Sequence, residues 1–306
     1  MITVESVSKS FDRTKAVDNI SFQANDKEIL VLLGPSGCGK TTTLKMLNRL
    51  IESDSGKILI NGKNIRDQKV EDLRMGIGFV MQHSGLFPHY TVEQNIAVVP
   101  DLLKWDKKKT AKRAEELLHK LHLPEDILKR FPNELSGGQQ QRVGIARALI
   151  ANSAILLMDE PFGALDNITK ANIHSEFKSL EELKNKTIIL VTHDVQEAFE
   201  LGHKICLMDK GKIIQTGTPK EMLYRPTNDF VKNFFFENRL LLEYKVATLN
   251  DVKTEINFAH VYEKFQFSEN TNLWDALQKL SSDHLFSKDY ENLMKAFNEY
   301  RKLAIV

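Results

Sequence analysis

Gly34-Pro35-Ser36-Gly37-Cys38-Gly39-Lys40-Thr41 satisfies the pattern G-x-x-x-x-G-K-[ST] in full, and no other stretch restricts the folding of this chain as strongly. The motif works only in a fixed context. A buried strand must enter it and a helix must leave it, so that glycine-permitted turns aim backbone N–H groups inward and the helix N-terminus adds its dipole. Both flanks are present: Ile29 to Leu33 is an apolar run of strand length, and Thr42, Leu44, Met46, Leu47 and Leu50 follow with helical spacing. A Gly-rich turn without a ligand is the bland alternative, and strand, motif and helix in this order weigh against it. Lys40 is then expected to reach the β- and γ-phosphates of a bound nucleotide and the Thr41 hydroxyl to ligate Mg²⁺. Gly34, Pro35, Ser36, Gly37, Cys38, Gly39, Lys40, Thr41 and Thr42 are the candidate phosphate contacts.

Around this motif the short apolar runs Ile58–Ile60, Ile77–Val80, Ile155–Met158, Ile188–Val191 and Ile205–Met208 read as strands. Segments with helical spacing separate most of them, which implies an α/β fold with a mainly parallel sheet. Val4–Val7 and Ala16–Phe22 flank the polar turn Asp12-Arg13-Thr14 and predict a small antiparallel edge. From about 83 to 151 the strand signal stops, and Ala111, Ala114, Leu117, Leu118 and Leu121 repeat on one helical face, as in a helical subdomain inserted between two strands. Beyond Pro226 there is neither Gly nor Pro, so a boundary is expected near 236, with a domain at 1–236 and an appendage at 237–306.

Composition removes several function classes. With 42 basic and 41 acidic residues the net charge is +1, so no bulk field favours nucleic acid or anionic lipid. Cys38 and Cys206 are the two cysteines, too few for a disulfide framework or a cysteine-rich zinc module. Cys206 on an apolar run reads as core packing, and Cys38 as a small space-filler whose oxidation or alkylation would block the phosphate loop. No apolar stretch approaches the roughly 20 residues that span a bilayer, and the start lacks the order of a signal peptide. A soluble, cytosolic protein is expected. The run Lys107-Lys108-Lys109 reads as a solvated helix start rather than a lipid contact.

Ile155-Leu156-Leu157-Met158-Asp159-Glu160 is a strand ending in two carboxylates. Beside a phosphate loop, Asp159 suits Mg²⁺, directly or through water, and Glu160 can polarise an attacking water. Leu135-Ser136-Gly137-Gly138-Gln139, followed by Gln140-Gln141-Arg142, is a second helix start suited to an anion. Placed between the phosphate loop and the Asp159-Glu160 strand, it resembles the signature of ATP-binding-cassette ATPases, over roughly residues 1–236. The resemblance implies a P-loop, RecA-like mixed sheet with an antiparallel edge and an inserted helical subdomain. It also implies that Phe11 stacks on adenine, with a core phenylalanine as an equal alternative. Gln82 would join Mg²⁺ and the attacking water to a transmembrane partner, and His193 would contact the γ-phosphate. Ala164-Leu165-Asp166 would communicate between two cassettes. Those cassettes would face head to tail, Ser136, Gly137, Gly138 and Gln139 of one holding the ATP of the other.

Among cassette proteins, the repair and chromosome class places a long coiled coil between phosphate loop and signature, where this chain has only residues 41–135 without sustained heptads. The translation class carries two cassettes per chain, and the signature disfavours a nucleotide kinase. A transporter subunit remains. Thr41–Leu50, Gly85–His89 with Thr91-Val92 and Asn95-Ile96-Ala97, and Met158–Asp166 resemble uptake ATPases for osmoprotectants and quaternary amines such as glycine betaine, choline, carnitine or ergothioneine. Methionine, polyamine and other amino-acid importers are the alternatives. The resemblance implies a membrane permease as partner, met at a groove formed in part by Gly85–His89, a substrate-binding protein acting indirectly, and no nucleic acid. It places the chain at the cytoplasmic face of the inner membrane.

The appendage is too short for the tandem CBS modules of many such relatives. Tyr244–Leu249 and Ile256–Val261 suggest strands, Asn272–Leu280 a helix, and Leu293, Ala296, Phe297, Tyr300 and Leu303 an amphipathic stripe. A degenerate CBS-like, α+β or helical unit packing on its counterpart in a second chain is expected, docking on its own cassette being the alternative.

Overall fold

The computed structural model describes residues 1–82, 85–163, 167–255, 265–282 and 287–304. Ten strands, β1 (Ile2–Phe11), β2 (Thr14–Ala24), β3 (Ile29–Leu33), β4 (Ser55–Ile60), β5 (Lys63–Asn64), β6 (Ile77–Val80), β7 (Ile155–Asp159), β8 (Thr187–Thr192), β9 (Lys204–Asp209) and β10 (Lys212–Gly217), form two sheets among these residues. The larger has the order β10-β9-β3-β8-β7-β6, parallel except for β10. Its central strands β9, β3, β8 and β7 are apolar on both faces because both faces are covered. Leu30, Leu32, Leu157, Ile189, Val191 and Met208 point into one core. Their neighbours Val31, Leu33, Leu156, Met158, Ile188 and Leu190 point into the other.

The first core is closed by the second sheet, order β2-β1-β4-β5, which is antiparallel throughout. This departs from the sequence reading in one respect. Ile58–Ile60 is not part of the parallel sheet but pairs with β1, Ile2 opposite Ile60 and Val4 opposite Ile58. A short apolar run carries no mark of its partner's direction, and here the period-2 pattern of β1 and β2 supplies a complete one-sided sheet for it to join.

The opposite core is closed by helices. Between β6 and β7 lie α3 (Val92–Leu102), α4 (Lys107–Lys120) and α5 (Gly137–Leu149), after α1 (Lys40–Leu47) and α2 (Val70–Met75). Ala114, Leu117 and Leu118 of α4 pack on Val143 and Ile145 of α5 within this core. Thr91 and Asp106 cap α3 and α4. Lys107, Lys108 and Lys109 are exposed in the first turn of α4, Lys109 lying 4.4 Å from the Trp105 ring centre. Then come α6 (Asn167–Ser179), α7 (Glu181–Lys184), α8 (Val195–Leu201), α9 (Pro219–Tyr224) and α10 (Asp229–Phe234).

Past residue 236 the described chain is helical: α11 (Arg239–Val246), a 3-10 turn at Leu249–Glu255, α12 (Leu273–Ser281) and α13 (Ser287–Ala304). The strand expected at Tyr244–Leu249 is not formed. Tyr244–Val246 finish α11, where Arg239 pairs with Glu243 four residues on, and only Thr248 makes an isolated bridge, to Asn272. Ile256–Val261 lies outside the described residues. Leu273, Ala276, Leu277, Leu280, Leu293, Ala296 and Phe297 make a separate small core, whereas Leu303 is 75% exposed. The contacts of this unit within the chain go to its own cassette. Leu242 enters the helical core, Lys220 pairs with Asp251 at 2.6 Å, Lys245 pairs with Glu200, and Tyr300 packs edge-on to Tyr224 at 6.0 Å.

Candidate nucleotide site

Four neighbouring parallel strands bring their C-terminal ends to one edge of the sheet. In register, Leu33 of β3 lies beside Thr192 of β8, Val191 beside Asp159 of β7, and Met158 beside Val80 of β6. The phosphate loop, His193, Asp159-Glu160 and Gln82, remote in sequence, therefore stand side by side, at the place where open α/β sheets bind ligands.

The loop is built by close approach. Gly39 has φ 104°, and a Cβ there would lie 2.4 Å from the Ala16 carbonyl oxygen. A Cβ on Gly34 would lie 2.2 Å from that of Met208. Both approaches require glycine. No side chain caps α1 and no acid occupies its first turn, so its leading N–H groups are left to an anion. Lys40, only 5% exposed, donates to the carbonyls of Gly34 at 2.7 Å and Pro35 at 2.9 Å, which holds its ammonium inside the loop. Cys38 is buried, and burial pushes its thiol pKa up despite the nearby Lys40. Thr42 stands half-buried in the same first turn, while Pro35, Ser36 and Gly37 are exposed at the loop tip.

Thr41 Oγ1 donates to Asp159 Oδ1 at 2.8 Å. Burial raises the Asp159 carboxyl pKa, and the Thr41 bond, Lys45 and Lys40 oppose that shift. A hydroxyl and a carboxylate, both hard oxygen donors and already in contact, fit Mg²⁺. One residue on, Glu160 adopts φ 44°, rare for a side chain with a Cβ, and its N–H is held by the Val191 carbonyl at 2.9 Å. Its Oε2 accepts from Gln82 Nε2 at 3.0 Å and lies 3.1 Å from His193 Nδ1. The structure thus joins Gln82 to Glu160 and His193.

Residues that sequence reasoning passed over hold this edge. Thr192 Oγ1 donates to Glu197 Oε2 at 2.8 Å and accepts from the Asp194 N–H at 3.0 Å, which fixes the turn carrying His193. Asp194 caps α8 and pairs with Lys170 of α6 at 2.5 Å. The signal was Thr192 and Asp194 flanking His193, a hydroxyl and a cap at a strand end.

Ser136 is exposed and forms a capping box with Gln139 at the start of α5, which takes up the Ser136 and Gln139 N–H groups and leaves those of Gly137 and Gly138, in the first turn, without an intrahelical partner. All hydrogen bonds described for Ser136 stay within its own helix start. Phe11 is 45% exposed with Lys9 Nζ 5.5 Å from its ring centre, which decides against core packing. Asp166 lies outside the described residues.

Phe87 and Tyr90, 5.4 Å apart between ring centres, project beside an apolar groove lined by Met75, Met81, Val99, Leu102 and Arg147. Asn95 of α3, buried, holds that loop: its Oδ1 accepts from the Phe87 N–H at 2.7 Å and its Nδ2 donates to Phe87, Tyr90 and Thr91 carbonyls.

Residues 17–163 match the family profile described as ABC transporter. The chain is 49% identical over 242 residues to the choline transport ATP-binding protein OpuBA of Bacillus subtilis, covering 79% of this chain and 64% of that protein. It is 45% identical over 277 residues to the glycine betaine uptake system ATP-binding protein YehX of Escherichia coli, covering 90% and 89%. Among solved structures, a dimeric post-hydrolysis state of the ATP-binding cassette MJ0796, bound to ADP and Pi, superposes with a TM-score of 0.65 at 33% identity, over 71% of this chain and 98% of that one. With 45% identity to a relative covered over 89% of its length, the chain belongs to the ATP-binding-cassette family of ABC transporters.

Proposed function

We propose that this chain hydrolyses ATP to energise import of a quaternary amine or betaine-type compound through a membrane permease. The observation that carries the reading is the single sheet edge where the Lys40 loop, the Thr41–Asp159 pair and Glu160 with Gln82 and His193 converge. Lys40, freed from the Gly34 and Pro35 carbonyls, neutralises charge on the β- and γ-phosphates while the first turn of α1 cradles their oxygens. Phe11 offers its exposed ring to the adenine face. Thr41 and Asp159 would hold Mg²⁺, with Gln82 the third candidate; bound there, the ion draws charge from the phosphate oxygens. Glu160 orients an attacking water and accepts its proton, with Gln82 and His193 fixing the carboxylate. His193, whose imidazole is exposed, then meets the γ-phosphate.

Ser136, Gly137, Gly138 and Gln139 face outward and are incomplete as a nucleotide site alone, which suits service to the ATP of a second copy. The solved cassette MJ0796 is dimeric. Asp166 would act between the two copies. The groove beside Phe87 suits an apolar helix of the permease, and such docking would hold the chain at the cytoplasmic membrane face, with a substrate-binding protein acting through the permease. The choline and glycine betaine transport relatives support the cargo class. The test is Glu160→Gln: ATP affinity should stay within about threefold while turnover falls at least about 100-fold, and near-normal turnover would remove Glu160 from the catalytic role.

A further inference from the structure

We propose that Lys245 of the appendage and Glu200 of α8 are positioning residues for ATP hydrolysis, tying residues 239–304 to the two helices that stand behind Glu160 and His193. The proposal rests on the ATPase reading above. Glu200 lies in the last turn of α8, the helix that Asp194 begins immediately after His193. Its Oε1 pairs with Lys245 Nζ, and its Oε2 accepts from His174 Nδ1 at 2.9 Å. His174 is buried on α6 and stands edge-on to the Phe162 ring at 4.9 Å. Phe162 is fully buried, with the Phe177 ring edge-on at 5.6 Å, and only Pro161 separates it from Glu160. An unbroken line of contacts therefore runs from the catalytic acid through Phe162, His174 and Glu200 to the appendage.

The other end of α8 is tied to the same helix α6 by Lys170, which pairs with Asp194 at 2.5 Å and lies 3.6 Å from Glu197. So α8 is fastened to α6 at both ends, and the appendage supplies the cation at one of them. Removing the Lys245 charge leaves a largely buried carboxylate with a single partner and loosens that end of α8. None of these contacts reaches residues 34–41, so nucleotide affinity has no reason to change. Lys220–Asp251 anchors the appendage to α9 instead and serves as a control for docking alone.

In the full-length chain, Lys245→Met should lower kcat about 5- to 20-fold, within the roughly 2- to 30-fold effects that packed networks carry, with KM and the affinity for a fluorescent ATP analogue within twofold. Lys245→Arg should restore kcat, Lys220→Met should leave it within twofold, and hydrogen exchange across 193–201 should quicken only in Lys245→Met. Should Lys245→Met not fold, Glu200→Gln should give the same kcat loss. Wild-type kcat in Lys245→Met, or an equal loss in Lys220→Met, overturns the proposal. A wild-type chain that does not turn over ATP overturns the ATPase reading instead, and unchanged exchange at 193–201 then overturns the coupling separately.

Discussion

Replacing Asn95 by alanine tests whether the loop at Phe87–Thr91 is held by one side chain. Asn95 is 0% exposed, and its Nδ2 has two N–H groups to share among the carbonyls of Phe87 and Tyr90 at 3.1 Å and Thr91 at 3.0 Å. Two of these carbonyls have other donors, Phe87 from the Tyr90 N–H at 3.1 Å and Thr91 from the Asn95 N–H at 2.9 Å. The groups left without a partner are the Phe87 N–H and the Tyr90 carbonyl. At about 1 to 1.5 kcal/mol for each half-buried orphan, Asn95→Ala should cost about 2 to 3 kcal/mol. Asn95→Asp keeps an acceptor for the Phe87 N–H but sets a carboxylate against three carbonyl oxygens, so it should cost at least as much near neutral pH. Urea unfolding with an unchanged m-value is the assay. Because Asn95 makes no described hydrogen bond to residues 34–41, ATP affinity should hold while association with the proposed permease weakens. A cost under about 0.5 kcal/mol for alanine, or a gentler effect for aspartate, would refute the clamp.

Ser136→Arg should abolish turnover, by about 100-fold or more, while a single chain keeps its nucleotide affinity; equal collapse of monomer affinity would disprove service to a second copy. Gly39→Ala, with its Cβ 2.4 Å from the Ala16 oxygen at φ 104°, should destabilise by on the order of 2–3 kcal/mol and remove nucleotide binding, as thermal melts and titration would report. Glu200 gives a pH signature: burial alone would raise its pKa, but hydrogen bonds from His174 and Lys245 outweigh that and lower it from 4.5 to about 2. The depressed value means that its stabilisation, on the order of 3 kcal/mol, is present above about pH 4.5 and is lost as pH falls towards 2. The stability gap between wild type and Glu200→Gln, followed by denaturant titration, should shrink over that window, and a gap independent of pH would contradict the charged pair.

Local chemistry made the phosphate loop legible, because Gly34, Gly39, Lys40 and Thr41 are contiguous and their residue types leave few alternatives. The same holds for the strand ending in Asp159-Glu160 and for Ser136, whose capping box with Gln139 is a property of four successive residues. Strand partners were less accessible. Ile58–Ile60 is as apolar as Ile77–Val80, yet one joins the antiparallel sheet and the other the parallel one, since pairing direction depends on which face a distant segment leaves bare. Tyr244–Leu249 misled for the converse reason: Tyr244, Val246 and Thr248 at every second position imitate a strand, while Glu243 pairs with Arg239 in a helix and Leu242 enters the core of the cassette.

What the sequence determined by itself is the chemistry of the nucleotide site and the kind of fold that can present it, because contiguous motifs and hydrophobic period are local properties of a chain. Tertiary structure alone decided that Gln82 and His193 meet on one oxygen of Glu160, that Phe11 is exposed, that Asn95 clamps the groove, and that Lys245 reaches Glu200. Each of these joins residues brought together by sheet register or helix packing, and a contact between distant segments exists only once the cores that align them have formed.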